Sequence, residues 1–145
     1  MIKEINMSIL DTITALYIES FNSAPWNDKW TTETASARLR QMINCSGFLG
    51  LYMEQEEKVI GLILGNEEVF YNANRFQIKE FCIHPQYRGQ KLGAKLLMEL
   101  ESRLGQKGID ELFLYTGRIE QIVNFYHKSG FKDWDNMVLM GKPIS

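Results

Sequence analysis

The sequence predicts an α/β fold in which a mixed, mostly antiparallel central sheet is flanked by helices. Three observations lead there. The polar turn Glu54-Gln55-Glu56-Glu57 joins two apolar runs and marks an antiparallel hairpin. In the second half of the chain, segments of helical periodicity alternate with strand-like runs, the pattern of a β-α-β-α-β unit. No repeat, low-complexity tract or Pro/Ser-rich linker divides the 145 residues, so one domain over residues 1–145 is expected.

The elements follow in order. Residues 2–5 form a short strand. Ser8 with Asp11 resembles a capping box, and Ile9, Ile13, Leu16, Tyr17 and Phe21 then recur at helical spacing. Pro25 breaks that helix, and Thr31 or Thr32 caps a second one whose apolar stripe is Ala35, Leu39, Met42 and Ile43. Residues 47–53 and 58–64 are the hairpin strands, and 75–83 is a further strand ended by His84-Pro85. Leu92, Leu96, Leu97, Leu100 and Leu104 line one side of a helix that Gly105 and Gly108 punctuate. A strand over 111–116, a helix over Glu120–Lys128 closed by Gly130, and a last strand over 134–140 complete the chain. The order is β-α-α-β-β-β-α-β-α-β, with helices on both faces of the sheet.

Composition excludes several classes of function. A net charge of −2 argues against a general nucleic-acid binder. The longest apolar runs, such as Val59 to Leu64, are too short to span a bilayer, and no signal-peptide pattern opens the chain. Cys45 and Cys82 lack any metal-ligand spacing, so reduced thiols in a cytoplasmic, metal-free protein are expected. At 45% hydrophobic residues the chain can bury a sizeable core.

Chemistry concentrates in HPQYRGQKLGAKLL, residues 84–97. A turn leading from a strand into a helix presents unpaired N–H groups and the positive end of the helix dipole. Gly89 and Gly93 would let an anion approach that backbone, although an ordinary capped helix behind a tight turn has the same spacing. The GxxxxGK[ST] and GxGxxG loops are both absent. Asp110 and Glu111 open the next strand rather than close it, which argues against a dinucleotide fold.

These residues resemble the GNAT superfamily of acetyl-CoA-dependent N-acyltransferases. The family's V-x-P step followed by Q/R-x-x-G-x-G/A is matched by Ile83-His84-Pro85 and Arg88-Gly89-Gln90-Lys91-Leu92-Gly93-Ala94. Asn124-Phe125-Tyr126-His127-Lys128-Ser129-Gly130-Phe131 is similar to its FYxxxGF ending. Two departures stand out. Lys91 replaces the usual first glycine, and Ile119 replaces an asparagine common seven residues before the tyrosine. Lys91 is expected at negative φ in the first helical turn, either touching a phosphate or solvated.

The resemblance implies acetyl-CoA as cosubstrate. Main-chain groups of Phe81, Cys82 and Ile83 would meet its pantetheine arm, and amides from Gly89 to Ala94 its pyrophosphate. Arg88 and Asn124 are carried over as further coenzyme contacts. Tyr126 matches the tyrosine that protonates the leaving thiolate, although Ile119, Ile122, Val123 and Tyr126 also form a helical core stripe. Glu80 is the candidate base: alternation puts Ile78, Glu80 and Cys82 on one face, a carboxylate among apolar neighbours. Its alternative role is an ion pair with a nearby Lys or Arg. His84 and His127 rank below Glu80, and neither cysteine is a convincing nucleophile.

On the acceptor side, Trp26, Asp28 and Trp30 fall between the first two helices, where the family builds its acceptor wall. Aromatic faces beside Asp28, Glu33 and Glu80 suit a cationic amine, whether aminoglycoside, polyamine, other small amine or protein amine. Both tryptophans equally suit covering the core edge. Glu67, Glu68, Phe70 and Tyr71 form a second patch of similar character. The leading expectation is an N-acetyltransferase; a non-catalytic acyl-CoA sensor and an interaction module are the rivals. The last strand offers a route to a homodimer.

Overall fold

A computed structural model describes residues 1–145. The chain divides into two compact units, Met1–Phe113 and Leu114–Ser145. The first contains a five-stranded sheet in sequential order: β1 (Ile2–Glu4), β2 (Phe48–Gln55), β3 (Lys58–Val69), β4 (Asn74–Ile83) and β5 (Glu111–Phe113). The first three pairings are antiparallel and β4–β5 is parallel, so the sheet is mixed and mostly antiparallel. Helices α1 (Leu10–Phe21), α2 (Thr32–Ile43) and α3 (Leu92–Gln106) belong to the same unit. No helix is long and apolar enough to cross a membrane.

Helix α2 starts as its sequence indicates. Thr31 Oγ1 accepts from Thr34 N–H at 3.1 Å, and Thr34 Oγ1 accepts from Thr31 N–H at 2.9 Å, a reciprocal capping box. The expected Ser8–Asp11 box does not form. Asn6 is the cap instead, its Oδ1 accepting from Ser8 N–H at 2.9 Å, and a 3-10 turn over Met7–Ile9 precedes α1. Ser8 is thereby placed inside that turn rather than at the helix start.

Ile13, Leu16, Tyr17 and Phe21 of α1 and Ala35 and Leu39 of α2 bury against Leu62, Leu64 and Cys82 of the sheet. On the other side of β3, Gly61 leaves room for the Ile83 side chain, whose Cδ1 would lie 2.6 Å from a Cβ there, next to Leu96 of α3. Leu96, Leu97, Leu100 and Leu104 are all buried, each contributing roughly 2 kcal/mol of apolar transfer. The helix ends in a Schellman motif, with Ile109 N–H on Leu104 C=O and Gly108 N–H on Gly105 C=O, Gly108 at φ +84°.

The β2–β3 hairpin turns on Glu56 and Glu57, both left-handed at φ 52° and 64°, as a twisted two-residue turn demands. Between β3 and β4 the register shifts: Leu64 pairs with Glu80 but Gly65 pairs with Ile78. Lys79 is therefore an inserted residue, a β-bulge. Adjacent residues of β3 point to opposite faces, so Glu80 and Cys82 share the Leu64 face while Ile78 takes the other. This corrects the expectation that all three share one face. At the bulge only glycine fits opposite, since a Cβ on Gly65 would stand 1.8 Å from Gln77 C=O.

The second unit contains α4 (Glu120–Lys128). The strand expected over 134–140 is absent. Asp135 and Asn136 form a turn inside it, closed by Met137 N–H on Trp134 C=O at 3.2 Å, and Met137 to Met140 are 60–85% exposed. Turn-forming residues interrupt the backbone run there before a ladder can be built.

Candidate active site

The end of β4 sets the geometry. His84 N–H donates to Ile60 C=O at 2.7 Å, which places the 60/84 and 62/82 pairs in one hydrogen-bonding frame. Cys82 therefore turns its main chain toward Leu62, while Phe81 and Ile83 direct theirs away from β3. On that side, pairing with β5 stops at Gln77 and Phe113. Of the three main-chain positions expected to meet pantetheine, Phe81 and Ile83 point away from β3 and Cys82 points toward it. Burial pushes the Cys82 thiol up to about 12, which removes it as a nucleophile.

His84 is buried and structural. Its Nδ1 accepts from Gln86 N–H at 3.2 Å, capping the 3-10 turn Pro85–Tyr87, and its Nε2 faces the Glu19 carboxylate. Arg88 ties the loop to the end of α1. Nε donates to Ile83 C=O (3.1 Å), Nη1 to Ala24 C=O (2.7 Å), and Nη2 to Ser20 C=O (3.1 Å) and Ser23 Oγ (3.3 Å). Its guanidinium is thus committed to protein acceptors, which leaves its main chain as the part able to meet an anion.

The loop then turns left-handed twice. Gly89 lies at φ +80°, and Lys91 at φ +62° stands at the N-cap of α3. The expected negative φ for Lys91 is wrong: its main chain occupies the region where glycine is at ease, and holding a lysine there costs about 1 kcal/mol. No side chain caps α3, and no acidic residue lies in its first turn. The amides of Leu92, Gly93 and Ala94 therefore face outward with the positive end of a 15-residue helix behind them. Gln90 and Lys91 are exposed. A shallow hollow of about 510 Å³, lined by Lys91, Ala94, Lys95, Met98, Glu99 and Ser102, continues along the exposed side of α3. This chemistry fits a phosphate group.

The acceptor-side residues form one connected group. Glu80, 7% exposed, accepts Arg38 Nε at 2.8 Å and Nη2 at 2.7 Å, both on Oε1. Burial pushes the Glu80 carboxyl up; Arg38 and the neighbouring Tyr17 hydroxyl oppose this, and Asp28 adds to it, for a net rise. Burial and the Glu80 carboxylate likewise push the Tyr17 phenol up. Trp30 meets Tyr17 edge-on at 5.1 Å, carries Arg38 over its ring at 5.7 Å and donates from Nε1 to Asp28 at 3.0 Å. Asn22 fixes the Trp30 main chain through two hydrogen bonds of 2.8 and 2.9 Å. Trp26 joins this group through Phe21, which it meets edge-on at 4.8 Å and whose ring lies 4.6 Å from that of Tyr17, and it lies under the Arg88 guanidinium. Both tryptophans also cover the core edge.

Arg38 and Tyr17 belong to this group without any local signal in the sequence, because Arg38 meets Glu80 across 42 positions. The second acidic-aromatic patch is already occupied by a cation of the chain, with Arg75 4.0 Å above the Phe70 ring.

In the second unit, Tyr126 and Phe131 explain why tyrosine, glycine and phenylalanine recur at this spacing. Phe131 N–H donates to Tyr126 C=O and Gly130 N–H to His127 C=O, with Gly130 at φ +98°, and the two rings meet edge-on at 5.4 Å. This is a Schellman motif with its apolar clasp. Tyr126 is half-buried rather than core, and Asn124 is exposed. Ile119 is the N-cap of α4 and offers no side-chain acceptor. His127 is occupied by Asp133 at 2.8 Å.

Comparison with known proteins identifies the family. Residues 10–131 match the model of the Acetyltransferase (GNAT) family. A spermidine N(1)-acetyltransferase of Thermoplasma acidophilum is 27% identical over 146 residues, covering 90% of this chain and 87% of its own. Among solved structures, a possible acetyltransferase from Clostridium difficile 630 superposes with a TM-score of 0.84 at 15% identity, covering 100% of this chain and 98% of that one. The aminoglycoside N-acetyltransferase AAC(6')-Iy, in complex with CoA, gives 0.75 at 14% identity, covering 98% and 93%.

Proposed function

Because the chain belongs to the GNAT family and is an acetyl-CoA-dependent acyltransferase, we propose that it transfers acetyl directly to a primary amine of a small or peptidic acceptor. The observation that carries this reading is the start of α3, uncapped and free of carboxylates behind a loop with two left-handed residues. An anion is the natural occupant of such a helix end.

Acetyl-CoA supplies an activated thioester, and the chain's own residues do the rest. Amides from Gly89 to Ala94 hold the pyrophosphate, and the outward main chain of Phe81 with the Ile83 N–H orients the pantetheine arm, the Ile83 C=O being taken by Arg88 Nε. Glu80 accepts the amine proton, directly or through a water, through Oε2, the oxygen outside its ion pair. Tyr126 donates a proton to the leaving sulfur; the motif match carries this role and that of Asn124 as a coenzyme contact.

Calorimetric titration with acetyl-CoA tests the first half, and thiol release over a panel of amines tests the second. Absence of binding at millimolar acetyl-CoA would remove the loop assignment. Binding without thiol release for any amine would make the protein a sensor of acyl-CoA.

A further inference from the structure

The acceptor wall contains a cation whose role goes beyond pairing with the base. Arg38 uses Nε and Nη2 on Glu80 Oε1 and also meets the Tyr17 hydroxyl, while Nη1 lies outside the ion pair and the side chain is 41% exposed. The Trp30 indole carries the Arg38 guanidinium over its face and the Asp28 carboxylate at its Nε1 edge. Neither charge is loosely held: Glu80 anchors the guanidinium, and Asn22 clamps the Trp30 main chain. One aromatic surface thus presents a negative group at its edge and a positive group over its face.

These two groups discriminate among amines. A linear polyamine carries further ammonium groups and no acceptor oxygen, so it can use Asp28 but leaves the outward donor of Arg38 without a partner. An amine with a carboxylate or carbonyl oxygen a few atoms away satisfies both, its ammonium held by Asp28 within reach of the Glu80 base and its oxygen on Arg38 Nη1. We propose that Arg38 is a specificity-determining residue and that the acceptor is an α-amine flanked by a carbonyl or carboxylate, the amino end of an amino acid or peptide. This inference rests on the acyl-transfer reading above.

The test is thiol-release kinetics at saturating acetyl-CoA, comparing free amino acids and dipeptides with spermidine and 1,4-diaminobutane. Wild-type kcat/KM should favour the first class by about tenfold or more. Arg38→Met should collapse that ratio, mainly through KM, and Arg38→Lys should restore part of it. Any general damage from leaving Glu80 unpaired lowers both classes alike and cancels in the ratio. Calorimetry with acetyl-CoA and thermal melting establish that each variant is folded. A wild-type preference for the polyamines, or an equal fall in both classes on Arg38→Met, would overturn the inference. So would turnover of neither class by a protein that binds acetyl-CoA. Failure to bind acetyl-CoA overturns the enzymatic reading beneath it instead. Free amino acids and dipeptides form separate arms, so their relative rates show whether the natural acceptor is a metabolite or a chain end.

Discussion

Glu80 illustrates how several influences meet on one side chain. Its carboxyl is pushed up by burial against the opposing pull of Arg38, so in its proposed role as base it would work only above the usual carboxylate range. The rate should therefore rise with pH along an acid limb displaced upward, and Glu80→Gln should lower kcat/KM about 10²-fold and abolish that limb. A loss confined to low pH, measured in the pH–rate profile, would contradict the base role. The same shift has a stability consequence. Between the unfolded and native pKa the native state holds more protons, so Glu80 makes stability fall as pH rises through that window. Glu80→Gln should flatten this slope in urea melts. Lys91 makes a second case. Its position is visible in the sequence but the sign of its φ is not, because a loop's backbone path depends on what the neighbouring strand and helix require. Lys91→Gly should relieve a left-handed residue, leave acetyl-CoA affinity within about threefold, and stabilise by up to about 1 kcal/mol. Abolished binding, read by calorimetry, would mean that the ammonium itself is the anion ligand.

At the scale of elements, local chemistry determines what the sequence reveals. Every helix is visible from its apolar stripe, and the α2 cap and the glycines closing α3 and α4 follow from residues within one turn. What escapes is non-local. The bulge at Lys79 depends on how Gly65 meets Gln77 across the sheet, and no pattern within β4 announces it. The strand expected over 134–140 has the right residue types, yet the Asp135–Asn136 turn overrides them. Element geometry also gives Ile119 a meaning that the motif comparison alone lacks. Its position is the α4 N-cap, so the asparagine it replaces would supply an acceptor for the first-turn amides. Ile119→Asn should stabilise the protein by about 0.5–1 kcal/mol whether or not coenzyme is present. Denaturant midpoints with and without acetyl-CoA separate this from a coenzyme contact, for which the gain would appear only with ligand.

At the scale of the whole molecule, the two compact units carry different proposed tasks. Met1–Phe113 contains the anion cradle and the acceptor wall, whereas Leu114–Ser145 contains Tyr126. Binding and chemistry should therefore come apart under mutation. A ligand that binds only the native state stabilises it by RT ln(1 + [L]/Kd), about 2.7 kcal/mol at one hundred times Kd. For a chain of this size each kcal/mol raises the melting temperature by about 3 °C, so acetyl-CoA at that excess should raise it by roughly 8 °C. Tyr126→Phe should retain nearly the whole shift while slowing turnover, because the role proposed for the phenol is at the leaving sulfur and not at the phosphates. Gly93→Val should lose most of the shift, since a β-branched side chain on the first helical turn crowds the approach to its amides. The reverse outcome, a shift lost on Tyr126→Phe and retained on Gly93→Val, would move coenzyme recognition away from the α3 start and onto the second unit.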